Sequence, residues 1–543
     1  MGITRGTIRI RYIFTSVHIS SWRRIGEPMD RENGKTSDSS PRTELAKRLA
    51  GKVTLSSDVS DADIAGIEFE TLVAKILGHF EGTEGFRLLD KALLFQIKEM
   101  KEEKSPDRIE SPKVPQEAAP AKDIESRFSI RNADEMQTKG DVADFTAYFN
   151  DRLEKLREFF GNARGASLGS MLNRIEGVRQ YANGREVSVV GMVYDKIVTK
   201  NGHVMATLED ETGSVKVLFI RPQKEGGREA SALFDSATRI VTDEVLAVRG
   251  KISGPFIIAN LILWPDVPIR LRKTTEDDIA MAFISDIHVG SKLFRERQFS
   301  RFISWLNGGI SHRKDLAGKV KYIVASGDLV DGIGVYPNQD KELSIPDIYK
   351  QYAVLFDFMD KIPDHIEVFL LPGNHDAVRL AEPQPPLTDD LLHDFKKDNI
   401  HFVSNPGFMT LHGLKVLGYH GTSLDSIIQA IPGCSYSKPE IAMAEVLKRR
   451  HLTPVYGDNP IVPGKKDPLI ISEIPDIMHM GHVHRNGNAD YHGTLILNSG
   501  TWQSKTPYQV KLGHMPTPAL LQVYETKSAR LSEVDFNFAE DAQ

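Results

Sequence analysis

Five short clusters in the C-terminal half of the chain bring together side chains suited to metal binding and proton transfer. They are Asp286-Ile287-His288, Gly327-Asp328-Leu329-Val330-Asp331, Gly373-Asn374-His375-Asp376, Tyr419-His420-Gly421 and Gly481-His482-Val483-His484. They recur at intervals of some forty to sixty residues, each following or lying close to an apolar run. Carboxylate, amide and imidazole donors in one set suit borderline divalent ions such as manganese, iron, nickel or zinc. A carboxylate supplied between two such groups can bridge two ions. Any one of these residues alone is more often structural than a ligand; the ordered set points to a dinuclear centre. Two ions held in this way clamp the oxygens of a phosphate and lower the pKa of a shared water, which is hydrolytic chemistry.

Elements of a definite kind must present such clusters. Over residues 278–535, strand-like runs such as Ala282-Phe283-Ile284-Ser285, Tyr322-Ile323-Val324-Ala325, Val368-Phe369-Leu370-Leu371 and Val416-Leu417-Gly418-Tyr419 alternate with helical stretches. This alternation predicts an α/β sandwich. In open α/β sheets ligands gather beyond the carboxyl ends of strands, which is where the polar clusters fall. Upstream, residues 186–269 carry short β-branched runs, with Leu208-Glu209-Asp210-Glu211-Thr212-Gly213 as a turn between two of them. Several short strands at this spacing predict a small closed barrel. Exposed aromatics that could stack on bases are sparse there, so the barrel reads as structural before it reads as a nucleic-acid contact. Residues 145–160 predict a helix leading into the barrel, and 41–103 a small helical domain with Ile64, Ile67, Leu72 and Ile76 on one face and Phe86, Leu89, Leu93 and Ile97 on another. Between them, 104–140 is rich in Pro, Glu, Lys and Ala and short of large apolar residues, the composition of a flexible linker.

Composition sets outer bounds. At 543 residues, with 40% apolar and 26% charged residues, the chain is long enough for two or three domains and too apolar to be wholly disordered. A formal net charge of -6 argues against holding nucleic acid by bulk basicity and leaves any such contact to a local patch or a partner. The single cysteine, Cys434, forms no intramolecular disulfide and reads as an inert thiol in an intracellular protein. There is no transmembrane run. The Arg-rich first 28 residues lack the long apolar core of a secretory signal and read as a disordered tail, with Met29 a second candidate start.

The order Asp-x-His, Gly-Asp, Gly-Asn-His-Asp, His, Gly-His-x-His resembles the calcineurin-like metallophosphoesterase superfamily throughout. That resemblance implies an α/β/β/α sandwich in which Asp286, His288, Asp328 and His484 hold one ion and Asp328, Asn374, His420 and His482 the other, with Asp328 as the bridge. It also implies that His375 protonates the departing oxygen or stabilises charge on the phosphoryl group, and that Asp331 orients His375. An ordinary loop carboxylate is the plainer reading of Asp331. The hairpin motif similarly gives the barrel a resemblance to OB-folds.

The superfamily includes phosphatases, cyclic nucleotide esterases and nucleases, so the metal motifs do not choose a substrate. The surrounding stretches do: residues 327–337, 372–386 (PGNHDAVRLAEPQPP), 432–436, 448–451 and 498–503 resemble the small subunit of archaeal family D DNA polymerase. The resemblance runs from about residue 141 to the C-terminus. It implies a 3′ to 5′ proofreading exonuclease with two divalent ions, manganese above all, and a separate large catalytic subunit, a DNA 3′ end and a sliding clamp as partners. It further implies a cytoplasmic, nucleoid-associated protein. A scaffold subunit without activity and a free-standing phosphatase are the alternatives. The expected multi-domain α/β layout is a tail (1–40), a helical domain (41–103), a linker (104–140), a helical lead-in with an OB-like barrel (141–275) and the phosphoesterase domain (276–543). Of the remaining charges, Lys448-Arg449-Arg450 reads as a solvated helix face rather than a phosphate or partner contact. Arg379, close behind His375, is open between the two. The Pro-rich run 382–386 predicts a rigid loop, because proline fixes its own backbone angle and restricts the residue before it.

Overall fold

The computed structural model describes residues 120–133, 138–163, 172–178, 180–223, 227–392 and 395–537, together with a few residues before 120. The chain divides into two units, Met1–Lys113 and Val114–Gln543. In the first unit Leu45, Ile64, Leu72 and Val73 are helical and buried, and Thr54–Leu55 pairs in parallel with Leu88–Leu89. Leu89 therefore lies in a strand pair and not on the expected helical face; a short apolar run cannot be assigned by periodicity alone. The other residues of 41–103, and the tail, lie outside the described residues.

In the second unit two six-stranded sheets form the frame. In the first, Ala280–Ile284, Val320–Ser326, Glu367–Leu371 and Ile400–Phe402 run parallel, and Leu520–Glu525 and Arg530–Asp535 extend it antiparallel on the other side. The second orders Gly487–Tyr491, Thr494–Asn498, Ile477–Met480, Leu414–Gly418, Gly407–Leu411 and Phe128–Asn132. Side chains alternate across a strand, so each sheet has two faces to bury. Met281, Phe283, Val324 and Phe369 pack between the sheets against Met409, Val416, Ile477 and Leu497. The opposite face of the first sheet, with Ala282, Ile323 and Val368, packs on helices Glu296–Leu306 and Ile348–Asp360. The opposite face of the second, with Leu417, Met478 and Ile496, packs on Leu424–Ala430 and Pro439–Arg449. Near-continuous apolar strands follow from this burial on both faces.

The strand Phe128–Asn132 corrects the expected linker 104–140. Its whole length pairs antiparallel with Gly407–Leu411, and Pro120–Asp123 before it forms a 3-10 turn with Ala121 fully buried. An edge strand draws its stability from main-chain pairing along one side, so sparse apolar content did not prevent it from ordering. Phe128 still finds rings to pack on, 5.4 Å from Phe369 and 4.6 Å from His401 between centroids.

The barrel is closed by five strands: Glu186–Val198, Val204–Asp210, Gly213–Phe219, Phe256–Leu263 and Val245–Ser253, the last returning to the first. Its Asp-x-Thr-Gly turn is a two-residue reversal in which the Asp210 carboxylate accepts from the Thr212 and Gly213 amides (2.8 and 3.2 Å). The helix Val142–Ala163 covers the expected 145–160 and packs Leu153, Leu156 and Phe160 on the outside of the barrel beside Ile470.

The junction between barrel and sheets corrects the reading of Lys448-Arg449-Arg450. Arg449 and Arg450 are buried. Arg449 Nε lies 2.5 Å from buried Glu244 of the barrel, and its Nη2 donates to the Arg239 carbonyl (2.7 Å). Arg450 donates to the carbonyls of Ile471 and Ser472 and sits 4.3 Å over the Phe159 ring, while Lys448 lies 3.9 Å over Trp264. Nearby, Arg152 of the long helix pairs with Asp467 at 2.7 Å, and His451 reaches the same carboxylate at 2.8 Å. Carboxylates and rings supplied from far upstream in sequence turn this run into a dry joint.

Candidate metal centre

The ligand clusters lie on loops at the carboxyl ends of Ala280–Ile284, Val320–Ser326, Glu367–Leu371, Leu414–Gly418 and Ile477–Met480. These loops fold in an unusual way. Thirteen non-glycine residues with positive φ occur among the described residues, and five of them are Asp286, His288, Asp328, His482 and His484. Left-handed backbone at non-glycine residues costs energy and persists where the surroundings impose it, characteristically at functional sites. The adjoining glycines make room: a Cβ on Gly373 would stand 2.3 Å from Asp328 Oδ1, and one on Gly327 2.3 Å from His420 Nδ1.

Asp286, His288, Asp328 and His484 offer ligand atoms that all lie within 4.8 Å of one another, and all four residues are buried. His288 Nε2 faces His484 Nε2 at 3.1 Å, and His484 Nε2 is 3.2 Å from Asp286 Oδ1. Beside them, His420 Nε2 lies 2.9 Å from Asn374 Oδ1 and 3.3 Å from Asp328 Oδ1. His482 completes this second set less closely, with its ring centroid 5.2 Å from that of His420. Asp328 thus touches both groups.

Each imidazole is held from behind. His288 Nδ1 is hydrogen-bonded to the Asp331 carboxylate (3.0 Å), His420 Nδ1 to the Ser326 carbonyl (2.9 Å) and His482 Nε2 to Asp425 (3.1 Å). Gln509 accepts from the Thr506 amide as part of a helix cap and places its own amide nitrogen 2.9 Å from His484 Nδ1. The Asp331, Ser326 and Asp425 oxygens accept from their histidines, which fixes the tautomer and frees the other ring nitrogen, whereas the Gln509 amide nitrogen is a donor and orients the His484 ring without freeing its Nε2.

Asp331 acts differently from what was expected. Its carboxylate serves His288 and also meets Gln339 and Gln503, whereas His375 Nδ1 donates to the main-chain carbonyl of Asp331 at 2.8 Å. Asp331 thus meets His375 through its backbone carbonyl and His288 through its carboxylate. Asp425, Gln509 and Asn405, whose Oδ1 accepts from the His420 amide, were not singled out from sequence, because nothing in their local spacing ties them to the clusters. Asp376 is in the Gly-Asn-His-Asp motif itself, and it braces two ligand loops by accepting from the Gly373 and Leu329 amides (2.8 and 3.1 Å).

The electrostatics fit a cation. Burial opposes charge on His288, yet Asp331, Asp328 and Asp286 outweigh it and push the imidazole up to about 9. His420, under the same opposition from burial, is pushed up to about 10, mainly by Asp328. Burial, aided by the neighbouring His288, lowers His375. Asp376 is pushed up to about 6 by burial and by the Asp328 charge beside it. The buried carboxylates thus favour positive charge on the imidazoles, the demand that divalent ions would meet.

Three further expectations resolve here. Arg379 donates from Nε and Nη2 to the Pro383 carbonyl (3.0 and 2.7 Å), clamping the Pro-rich loop. That loop is tied down as expected: Gln384 donates to the Gly373 carbonyl and accepts from Asn405, and buried Glu382 accepts from Tyr419, Thr422 and Thr453. Cys434 is half-buried against the helices of the second sheet, and burial raises its thiol pKa, in keeping with an inert group.

Fold and site together place the chain in a class. Residues 282–487, from the first parallel strand to just past the His482/His484 loop, match the DNA polymerase alpha/epsilon B-subunit family. Relatives narrow it further. The chain is 41% identical over 389 residues to the DNA polymerase II small subunit of Archaeoglobus fulgidus, covering 71% of this chain and 76% of that one. It is 38% identical over 404 residues to that of Methanothermobacter thermautotrophicus, covering 73% and 80%, and 38% identical over 412 residues to that of Methanocaldococcus jannaschii, covering 74% and 68%. The chain belongs to the family of archaeal DNA polymerase II small subunits, and a large catalytic subunit is its implied partner. Among the described residues no helix is long and apolar enough to cross a membrane.

Proposed function

We propose that this subunit is the 3′ to 5′ exonuclease of its polymerase and works at a dinuclear metal centre in a calcineurin-like phosphoesterase domain, in a chain that also has an OB-like barrel and a helical N-terminal domain. The observation that carries the reading is the convergence of Asp286, His288, Asp328 and His484, with Asn374 and His420 against the far side of Asp328. Asp286, His288, Asp328 and His484 would hold one ion, and Asp328, Asn374, His420 and His482 the other. Divalent ions there, with manganese the first choice, would offset the phosphate's charge and lower the pKa of the attacking water.

The chain's own groups do the rest. Asp331, Ser326, Asp425 and Gln509 hold the four imidazoles in register. His375 is fixed by its Nδ1 bond to Asp331 O, which leaves Nε2 4.0 Å from the Asp328 carboxylate. The water oxygen bonds to phosphorus in line while the bond from phosphorus to the 3′ oxygen of the penultimate nucleotide breaks. That oxygen leaves with the electron pair and takes up the proton released by the attacking water, delivered through His375 Nε2. The products are a 5′-mononucleotide and a strand one residue shorter with a 3′-hydroxyl. The net charge of -6 supports a division of labour in which the large subunit, and the sliding clamp with it, keep the template near. Work on the chromosome would place the protein in the cytoplasm at the nucleoid.

A 5′-labelled single-stranded oligonucleotide with a 3′-hydroxyl, incubated with the chain and manganese, should give a ladder of shorter labelled products, more strongly with the large subunit present. Intact DNA beside rapid turnover of a small phosphomonoester would favour a phosphatase. No turnover of either, with two ions bound, would leave a scaffold subunit.

A further inference from the structure

We infer that the loop 332–336 is the platform on which the base of the penultimate nucleotide stacks, so that the strand end must be unpaired to be cut. The inference rests on the exonuclease reading and names which part of the strand this loop holds. The loop is bound to His375. Gly332, at φ +74°, packs so tightly that a Cβ there would stand 2.2 Å from the His375 carbonyl oxygen and 3.0 Å from Val335 Cγ2. The Tyr336 ring lies edge-on to the His375 ring, with centroids 6.1 Å apart. Tyr336 thus borders the imidazole assigned to the leaving oxygen, which belongs to the penultimate nucleotide, and Ile333 and Val335 belong to the same anchored loop.

The display is built, not incidental. Fully buried Gln351 accepts from the Gly332 amide (2.9 Å) and donates back to its carbonyl (3.2 Å), and buried Gln339 accepts from the Val335 amide (2.9 Å) while donating to Asp331. With its backbone anchored at both ends, the loop still holds Ile333 at 50% and Val335 at 36% exposure. It carries no cation for a phosphate, and the Tyr336 hydroxyl is committed to Glu342 at 3.0 Å. What it offers a nucleotide is apolar surface and an aromatic edge. Such a surface takes any base by its face and reads no base edge, as a proofreading site serving all four bases requires.

The test uses the full chain with manganese and 5′-labelled single strands that carry an abasic residue at the penultimate or the terminal position. For the unsubstituted protein, removing the penultimate base should raise KM roughly tenfold, the loss of one stacking contact, and removing the terminal base should do less. The double substitution Ile333→Ser, Val335→Ser should raise KM by a similar factor on intact DNA and lose little more on the penultimate abasic strand, since the two changes remove the same contact. Thermal unfolding midpoints and metal content of the variant should match the parent. Additive losses, or sensitivity to the terminal base alone, would overturn the inference while leaving the exonuclease reading in place. Failure of the unsubstituted chain to shorten any strand would overturn both.

Discussion

Asp331→Asn separates the two ways in which this residue could serve the site. The carboxylate holds His288 at 3.0 Å and takes amide donors from Gln503 (3.1 Å) and Gln339 (3.2 Å), while His375 depends on the main-chain carbonyl, which substitution leaves untouched. In the asparagine variant the oxygen can still face His288 and Gln503, but it is no longer charged, and the amide nitrogen in place of Oδ2 must confront Gln339, a donor at this point. His288 should then be a weaker and less well aimed ligand. Loss of a partner behind a metal-bound histidine costs about 10- to 100-fold in metal affinity, or about 1.4 to 2.7 kcal/mol. The concentration of manganese giving half-maximal DNA hydrolysis should rise by that factor, and turnover at saturating manganese should stay within about threefold of the parent, because His375 keeps its anchor. A metal titration of exonuclease rate gives both numbers. An unchanged manganese requirement with a hundredfold fall in turnover at saturation would refute the argument and return the carboxylate to His375.

Three further outcomes are expected. Asp328→Ala should abolish hydrolysis and lose both ions, whereas His375→Ala should keep its metal by elemental analysis and lose roughly 10²- to 10⁴-fold in turnover; loss of both ions from the His375 variant would show that residue to be a ligand. Metal loading should strengthen as pH rises toward 9, since His288 and His420 are pushed up to about 9 and about 10 and must shed protons to bind. In metal-free protein the same raised values stabilise the fold fully below the unfolded value of 6.5, and that contribution fades as pH rises through 9, so the unfolding midpoint in chelator should fall between pH 7 and 10 and manganese should restore it. Arg449→Met should destabilise the chain by about 3 to 5 kcal/mol in a denaturant titration, because it strands buried Glu244, and adding Glu244→Gln should recover part of the loss; a cost under about 0.5 kcal/mol would fit the solvated face instead.

The sequence made the ligand clusters legible because each is compressed into three to five adjacent residues at the end of an apolar strand, a place where chain order and spatial order agree. Asp286, Asp328, Asn374 and His420 come together for that reason, and the barrel strands could be read because they are short β-branched runs set off by turn residues. What escaped was fixed by contacts across long stretches of chain. Asp425 and Gln509 reach His482 and His484 from helices with no motif of their own, and the strand Phe128–Asn132 owes its order to a partner some 280 residues later. The same distance hid the role of Asp331, since motif matching assigns a residue to its neighbour in the pattern and cannot tell its carboxylate from its carbonyl.

The charge run at 448–450 shows the same limit most sharply. Three successive cations at the end of a helix look solvated by every local rule, yet the rule rests on an assumption that no carboxylate waits opposite. Here the barrel delivers Glu244 and Trp264, and the long helix delivers Phe159 together with the Arg152 that pairs with Asp467. Removing one side of such a pair leaves an uncompensated buried charge, so the joint is sensitive to the loss of any single partner. The helix Pro439–Arg449 that carries Arg449 also packs beside Leu424–Ala430, where Asp425 holds His482. The barrel is thereby tied through two packed helices to His482, which gives a domain with few exposed aromatics a structural reason to stand beside the candidate metal centre.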